Sequence, residues 1–175
     1  MIDPSPETYR SVLSLRTVRR FTSQPIDPAD MTAILEAARW TGSSKNRQAW
    51  AVILVESRDQ LERLAVCGDF TQPLGGAVAA VVPTRLPDGN DWDVGRLSQN
   101  VMLAAAARGV GSCPITFHRE DQARDVLGVP GDHGCRFAIA LGHPDEEAER
   151  AGRGGSPLGG RKPLSELVHH ERFRS

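Results

Sequence analysis

At 175 residues the chain has room for one domain with a sizeable core, and 39% hydrophobic with 25% charged residues excludes global disorder. A formal charge of -1 lacks the basic excess with which nucleic-acid binders displace counterions, and no apolar run reaches the length of a membrane span. Cys67, Cys113 and Cys135 are odd in number, far apart and without a C-x-x-C pair, which argues against a disulfide framework and a zinc site. The opening Met1-Ile2-Asp3-Pro4 has neither region of a signal peptide, so the expected location is cytoplasmic.

Glu7 to Ser14 has the makings of a short helix. Directly after it, Leu15-Arg16-Thr17-Val18-Arg19-Arg20-Phe21 packs three guanidinium groups and a hydroxyl into a few residues. Such forks of N-H donors match phosphate oxygens, although a run of arginines also serves as a solvated basic face. Asp27 as N-cap, Pro28 at the first helical position and Asp30 in the first turn predict a helix, and Met31, Ile34, Leu35 and Ala38 carry its apolar stripe to about Trp40. The polar loop Thr41 to Gln48 leads into a buried strand over Trp50 to Val55.

Ser57-Arg58-Asp59-Gln60 has the spacing of a capping box, with Leu61, Leu64 and Ala65 facing inward in the helix that follows and an end near Gly68. Asp69 to Gly76 reads as turns, Ala77 to Val82 as a strand closed by Pro83, and Arg85 to Trp92 as an exposed loop. The longest helical pattern runs from Asp93 to Arg108, with Gly109 beyond it, and its apolar face suits either the core or a subunit interface. An extended segment over Gly111 to Phe117, a short helix over Asp121 to Leu127 and a core strand over Phe137 to Leu141 follow. Residues 145 to 160 are charged, then Gly-rich, without periodicity, and are expected to form a mobile loop. The tail opens with Arg161-Lys162-Pro163-Leu164 and holds a brief helix at Leu164, Leu167 and Val168. Strands alternating with helices, without a regular βαβ series, give one α+β domain over 1 to 175, a mixed sheet between helices. Gly109-Val110-Gly111 follows a helix and lacks the third glycine, so it is no dinucleotide fingerprint.

Four polar stretches stand out: Arg16 to Arg20, Ser43-Ser44-Lys45-Asn46, Ser112 to Thr116 and Arg161-Lys162. Together they suit one phosphorylated planar ligand, with arginines on the phosphate and hydroxyls and an amide on the polar edges. Cys113 before Pro114 in an apolar setting reads as a structural thiol, and His118, His133 and His143 are too scattered to suggest metal ligands.

In that order these stretches resemble the landmarks of the FMN-dependent nitroreductase family. Arg16-Thr17-Val18-Arg19-Arg20-Phe21 is similar to its opening signature, and Ala37 to Trp50 to its helix, loop and strand ending in Asn-x-Gln-Pro-Trp. Gly109 to Pro114 and Gly160 to Leu164 complete the set. The resemblance implies a nitroreductase-like α+β fold with a mixed, mainly antiparallel sheet packed between helices. It also implies a homodimer with two FMN sites at the subunit interface, each built from both chains. By the same resemblance Arg16, Thr17 and Arg19 belong to the opening signature, with Arg19 near the pyrimidine edge of the flavin. Ser43, Ser44 and Asn46 would contact ribityl and ring atoms, Pro114, Ile115 and Thr116 would lie along the ring, and Arg161 would take the phosphate.

The sequence departs from the family pattern at Leu15, where many members have an additional Arg, at Gly42 and Ala49, where Pro is common, and at Thr116, where some carry Glu. The chain is also short for the family. The implied activity is that of an FMN-dependent NAD(P)H oxidoreductase passing hydride through flavin N5 to a small-molecule acceptor such as a nitroaromatic or quinone. No side chain is needed as a catalyst, because the cofactor carries the redox chemistry. The alternative is a non-catalytic flavin-binding protein, a store or redox sensor. Neither nucleic acid nor membrane is an expected partner.

Overall fold

A computed structural model describes residues 5–152 and 160–173. Ser5 accepts a hydrogen bond from the Thr8 amide and starts helix α1 (Pro6–Ser14), none of whose residues is buried. Asp27 caps helix α2 (Pro28–Arg39) through the Ala29 amide at 2.7 Å, as its sequence predicts. Strand β1 (Trp50–Val55), helices α3 (Arg58–Leu64) and α4 (Gln72–Gly76), and strand β2 (Ala79–Arg85) follow. Then come helix α5 (Asp91–Ala107), strand β3 (Gly111–Thr116), helix α6 (Glu120–Leu127) and strand β4 (Phe137–Gly142). Helices α7 (Glu146–Gly152) and α8 (Leu164–Leu167) close the order.

The four strands form one sheet in the order β1-β2-β4-β3, and each pairing is antiparallel. The parallel contribution among the described residues is an isolated bridge from Thr17 to Ser112. Alternation along β2 sends Ala80 and Val82 into one core with Leu61, Leu64, Leu74 and Ala123, and Ala79 and Val81 into another with Ile34, Leu97 and Val101. The sheet therefore lies between α3, α4 and α6 on one side and α2 and α5 on the other. Burying a Leu or Ile side chain of this kind is worth about 1.5–3 kcal/mol, so the two cores hold the sheet from both faces.

Several boundaries differ from the sequence expectations for identifiable reasons. Strand β2 runs through Pro83 to Arg85. Its ladder to β4 has already ended at Val81, so a residue without an N-H costs no bond on that side. Helix α5 begins two residues early because Asn90 accepts from the Asp93 amide at 2.9 Å and donates to the Asp93 carboxylate at 3.0 Å. Ser57 makes no side-chain cap, and α4 occupies part of the stretch expected to be turns. Within the expected loop 145 to 160, Glu146–Gly152 is helical, while 153 to 159 lie outside the described residues. Asp145 accepts from the Ala148 amide at 2.9 Å and the acidic first turn complements the helix dipole, neither of which leaves an apolar period to read.

Candidate functional site

The Arg-rich segment lies flat on the end of the sheet because two glycines let it. Gly111 of β3 and Gly142 of β4 are register partners. A methyl group on Gly111 would sit 2.9 Å from Val18 Cβ, and one on Gly142 would sit 2.9 Å from Phe21 Cβ. Val18 donates its amide to the Ser112 carbonyl at 2.9 Å, beside the Thr17 to Ser112 bridge. Further along, Thr22 donates to the His143 carbonyl at 2.9 Å and Phe21 bridges Pro144. The backbone of 17 to 22 is thus fixed at both ends, and Arg19 and Arg20 stand between the anchors.

Two of the clefts beside it share Thr17 as a wall. One, of about 180 Å³, is lined by Arg16, Thr17, Ser112 and Pro114 with Gln99 and Met102 of α5. The other, of about 230 Å³, is lined by Arg19, Arg20, Gln72, Pro73, Glu149 and Gly152. Pro114 is the exposed residue of an otherwise well-covered strand, and β3 is an edge strand, where a missing N-H is tolerated. The guanidiniums of Arg19 and Arg20 have no hydrogen-bond or ion-pair partner among the described residues. Arg16 is partly engaged, since its Nη1 donates to the Leu13 and Leu15 carbonyls at 2.8 Å and finishes α1.

The Ser43, Ser44 and Asn46 loop belongs to a different part of the molecule. It precedes β1, the opposite edge of the sheet from β3. Lys45, Asn46 and Gln48 all adopt positive φ, near 52 to 54°, a conformation that disfavours side chains and needs local support. Ser43 Oγ supplies it by accepting from the Gln48 amide at 2.9 Å, and Gln48 Nε2 donates to Asn46 Oδ1 at 3.1 Å. Helix α5 ties the loop down from outside, with Arg96 donating to the Gly42 carbonyl at 2.8 Å and Asn100 to Thr41 Oγ1 at 2.9 Å. Helix α5 thus serves both groups, presenting Gln99 and Met102 to the Arg16 cleft and Arg96 and Asn100 to the loop.

The other residues singled out in the sequence fall as follows. Ile115 is 2% exposed in the core, so only its backbone can face a ligand, while Thr116 is half-buried on the Pro114 side of the strand. Arg161 is exposed and has no hydrogen-bond or ion-pair partner among the described residues; the clefts around Thr17 do not include it. Gln72, Gln99 and Glu149 line the clefts although sequence patterns did not select them. Ser112, which heads the Ser112 to Thr116 stretch singled out in the sequence, also lines one of them. Cys113 lies on the core face of β3, where burial pushes its thiol up; the Arg19 cation works against that and the Glu149 carboxylate with it.

Known proteins share this fold. The model of the nitroreductase family matches residues 12–67 and 75–143. The chain belongs to the nitroreductase family. The match covers the Arg-rich segment, the Ser43 loop and all of strands β1 to β4. Among relatives, the NADPH-flavin oxidoreductase of Vibrio harveyi is 26% identical over 192 aligned positions, covering 95% of this chain and 75% of that protein. Nitroreductase A from Vibrio parahaemolyticus superposes with a TM-score of 0.83 at 26% identity, over 98% of this chain and 78% of that one. An FMN-dependent nitroreductase from Clostridium difficile has the same fold, with a TM-score of 0.77 at 22% identity over 93% and 98% of the two chains. Nitroreductase membership also accounts for the fold class read from the sequence, an α+β sheet packed between helices. Among the described residues no helix is long and apolar enough to cross a membrane.

Proposed function

We propose that this nitroreductase is an FMN-dependent NAD(P)H oxidoreductase whose cofactor binds between two copies of the chain. One observation carries the reading. The guanidiniums of Arg19 and Arg20 are unpartnered among the described residues at a cleft walled by Thr17, and the neighbouring cleft has an exposed Pro114 as its floor. That donor set fits FMN. Guanidinium forks match phosphate and carbonyl oxygens, the Thr17 hydroxyl can bond in either sense, and a flat proline face without an N-H can lie against a ring. When bound, FMN supplies the chemistry at N5, accepting hydride from NAD(P)H and delivering it to an acceptor.

The chain's own residues bind and orient. Arg19, whose backbone is carried on the segment fixed over Gly111 and Gly142, offers a cation to whichever ring edge becomes more negative on reduction. Ile115 and Thr116 contribute backbone groups along the strand. Ser43, Ser44 and Asn46 approach from a second copy, because within one chain they sit beyond α5 at the opposite edge of the sheet. Exposed apolar residues at both ends of the chain supply surface for that copy to cover: Tyr9, Val12 and Leu13 of α1, and Leu164, Leu167 and Phe173 of the tail. Arg161, on the same tail, is the group we assign to the phosphate. It would offset the missing Arg at position 15.

The acceptor we assign is a small nitroaromatic or quinone. The test is anaerobic: protein loaded with FMN is mixed with NADH or NADPH and its visible absorption followed, then a nitroaromatic or quinone is added. Bleaching followed by recovery of the yellow colour is expected. Flavin that stays oxidised in the presence of both nucleotides would leave a binding protein and remove the enzyme.

A further inference from the structure

Helix α7 is fastened to the Arg-rich segment at an unusual point. Asp145 donates its amide to the Arg20 carbonyl at 3.0 Å, and Glu149, one turn on, donates its own amide to the Asp145 carbonyl at 2.8 Å. That turn brings the Glu149 side chain back to the segment, where Oε1 accepts from the amides of both Arg19 and Arg20, the latter at 2.7 Å. Two successive N-H groups aimed at one oxygen form a small anion-holding concavity, and Glu149 fills it with a charge-assisted pair. A carboxylate beside two guanidiniums would ordinarily be drawn to them. Here it is held by main-chain amides, which leaves both forks unpartnered among the described residues.

We propose that Glu149 is a positioning residue of the cofactor site: its carboxylate locks the Arg19 and Arg20 backbone so that both guanidiniums line the cleft, and its negative charge restrains how strongly they favour a reduced, anionic ligand. The proposal rests on the FMN reading above and adds a residue that the Arg-rich motif alone does not contain. Steric locking and charge separate cleanly by substitution. Glu149→Gln keeps an oxygen acceptor for the two amides and removes the charge, whereas Glu149→Ala removes both.

The experiment uses the full-length protein and inspects it first without cofactor. In Glu149→Ala the Arg19 and Arg20 amide protons should lose their hydrogen-bonded NMR shifts and exchange faster; in Glu149→Gln they should remain protected. FMN affinity should fall at least about tenfold in Glu149→Ala, as expected from losing a charge-assisted pair, and stay within about threefold in Glu149→Gln. The midpoint potential of FMN bound to Glu149→Gln should shift positive, because the negative charge opposing reduction is gone. Unchanged amide protection and affinity in Glu149→Ala, or an unchanged potential in Glu149→Gln, overturns the assignment. If wild-type protein takes up FMN normally while these effects are missing, Glu149 alone is wrong. If wild-type protein takes up no FMN, the cofactor reading and this one fall together.

Discussion

Replacing Gly111 by Ala tests the platform on which the site is built. The added methyl would lie 2.9 Å from Val18 Cβ and 3.0 Å from each of its γ-carbons, roughly 0.5 Å inside ordinary van der Waals contact. Val18 cannot rotate out of the way, because Cβ itself is one of the atoms struck and a branched side chain presents a γ-carbon in most rotamers. Its backbone is also tied to Ser112. The conflict is relieved by lifting the segment from the sheet, and overpacking of this size costs about 1–3 kcal/mol. For a chain of this length that is a melting temperature lower by roughly 2–12 °C. The lift displaces Thr17 and Arg19 on either side of Val18, so FMN affinity should fall as well, measured by quenching of flavin fluorescence. Gly95→Ala is the control: nothing lies within 4 Å of a methyl there, it is on the exposed face of α5, and it should stabilise by about 0.4–1 kcal/mol. A Gly111→Ala protein with wild-type melting temperature and FMN affinity would mean that the Arg-rich segment does not rest on β3.

Other expectations follow from local chemistry. All three thiols are buried, and burial, reinforced by the Glu120 carboxylate, pushes Cys135 up to about 11. Against an ordinary value of 9.0, native Cys135 has roughly a hundredfold less thiolate, so a disulfide reagent at pH 8 should react slowly until urea is added, and fast native labelling of Cys135 would refute its burial. Glu36 is held at about 2, first by its hydrogen bond from Arg39 and then by the Trp40 indole. A depressed folded value means that its contribution to stability is complete above 4.5 and fades as pH falls towards 2; NMR titration should show this, and Arg39→Ala should return Glu36 towards an ordinary carboxylate. Arg161→Ala should weaken FMN far more than riboflavin, and equal losses would contradict a phosphate role.

What the sequence revealed depended on whether a residue's role left a local pattern. Strand β1 was readable to the residue, and α2 almost so, because β-branched runs and an Asp-Pro cap are local signals. Helix α7 was hidden because it buries no apolar stripe; its stability comes from Asp145 and from contacts to residues some 130 positions away. The candidate site divides in the same way. Arg16, Thr17 and Arg19 announced themselves as a cluster, the stretches holding Ser43, Asn46 and Pro114 stood out as polar segments, and the nitroreductase resemblance supplied the roles expected of them. Glu149 and Gln72 join the cleft only through the fold, and single glutamates and glutamines carry no spacing to notice. The Gly111 and Gly142 pair illustrates the limit: each glycine is visible in the sequence, but what each makes room for appears only when β3 and β4 are paired.

In the proposed site one FMN is gripped by groups that a single chain keeps apart, so mixing two defective copies should restore what neither binds alone. Arg19→Ala damages one half of the proposed site, and Asn46→Ala the other. Each variant alone should retain FMN poorly. Unfolded together and refolded, the pair should bind FMN at the sites where an intact Arg19 face meets an intact Asn46 loop from the other copy. A mixture that binds no more FMN than the two variants refolded separately would contradict the shared site.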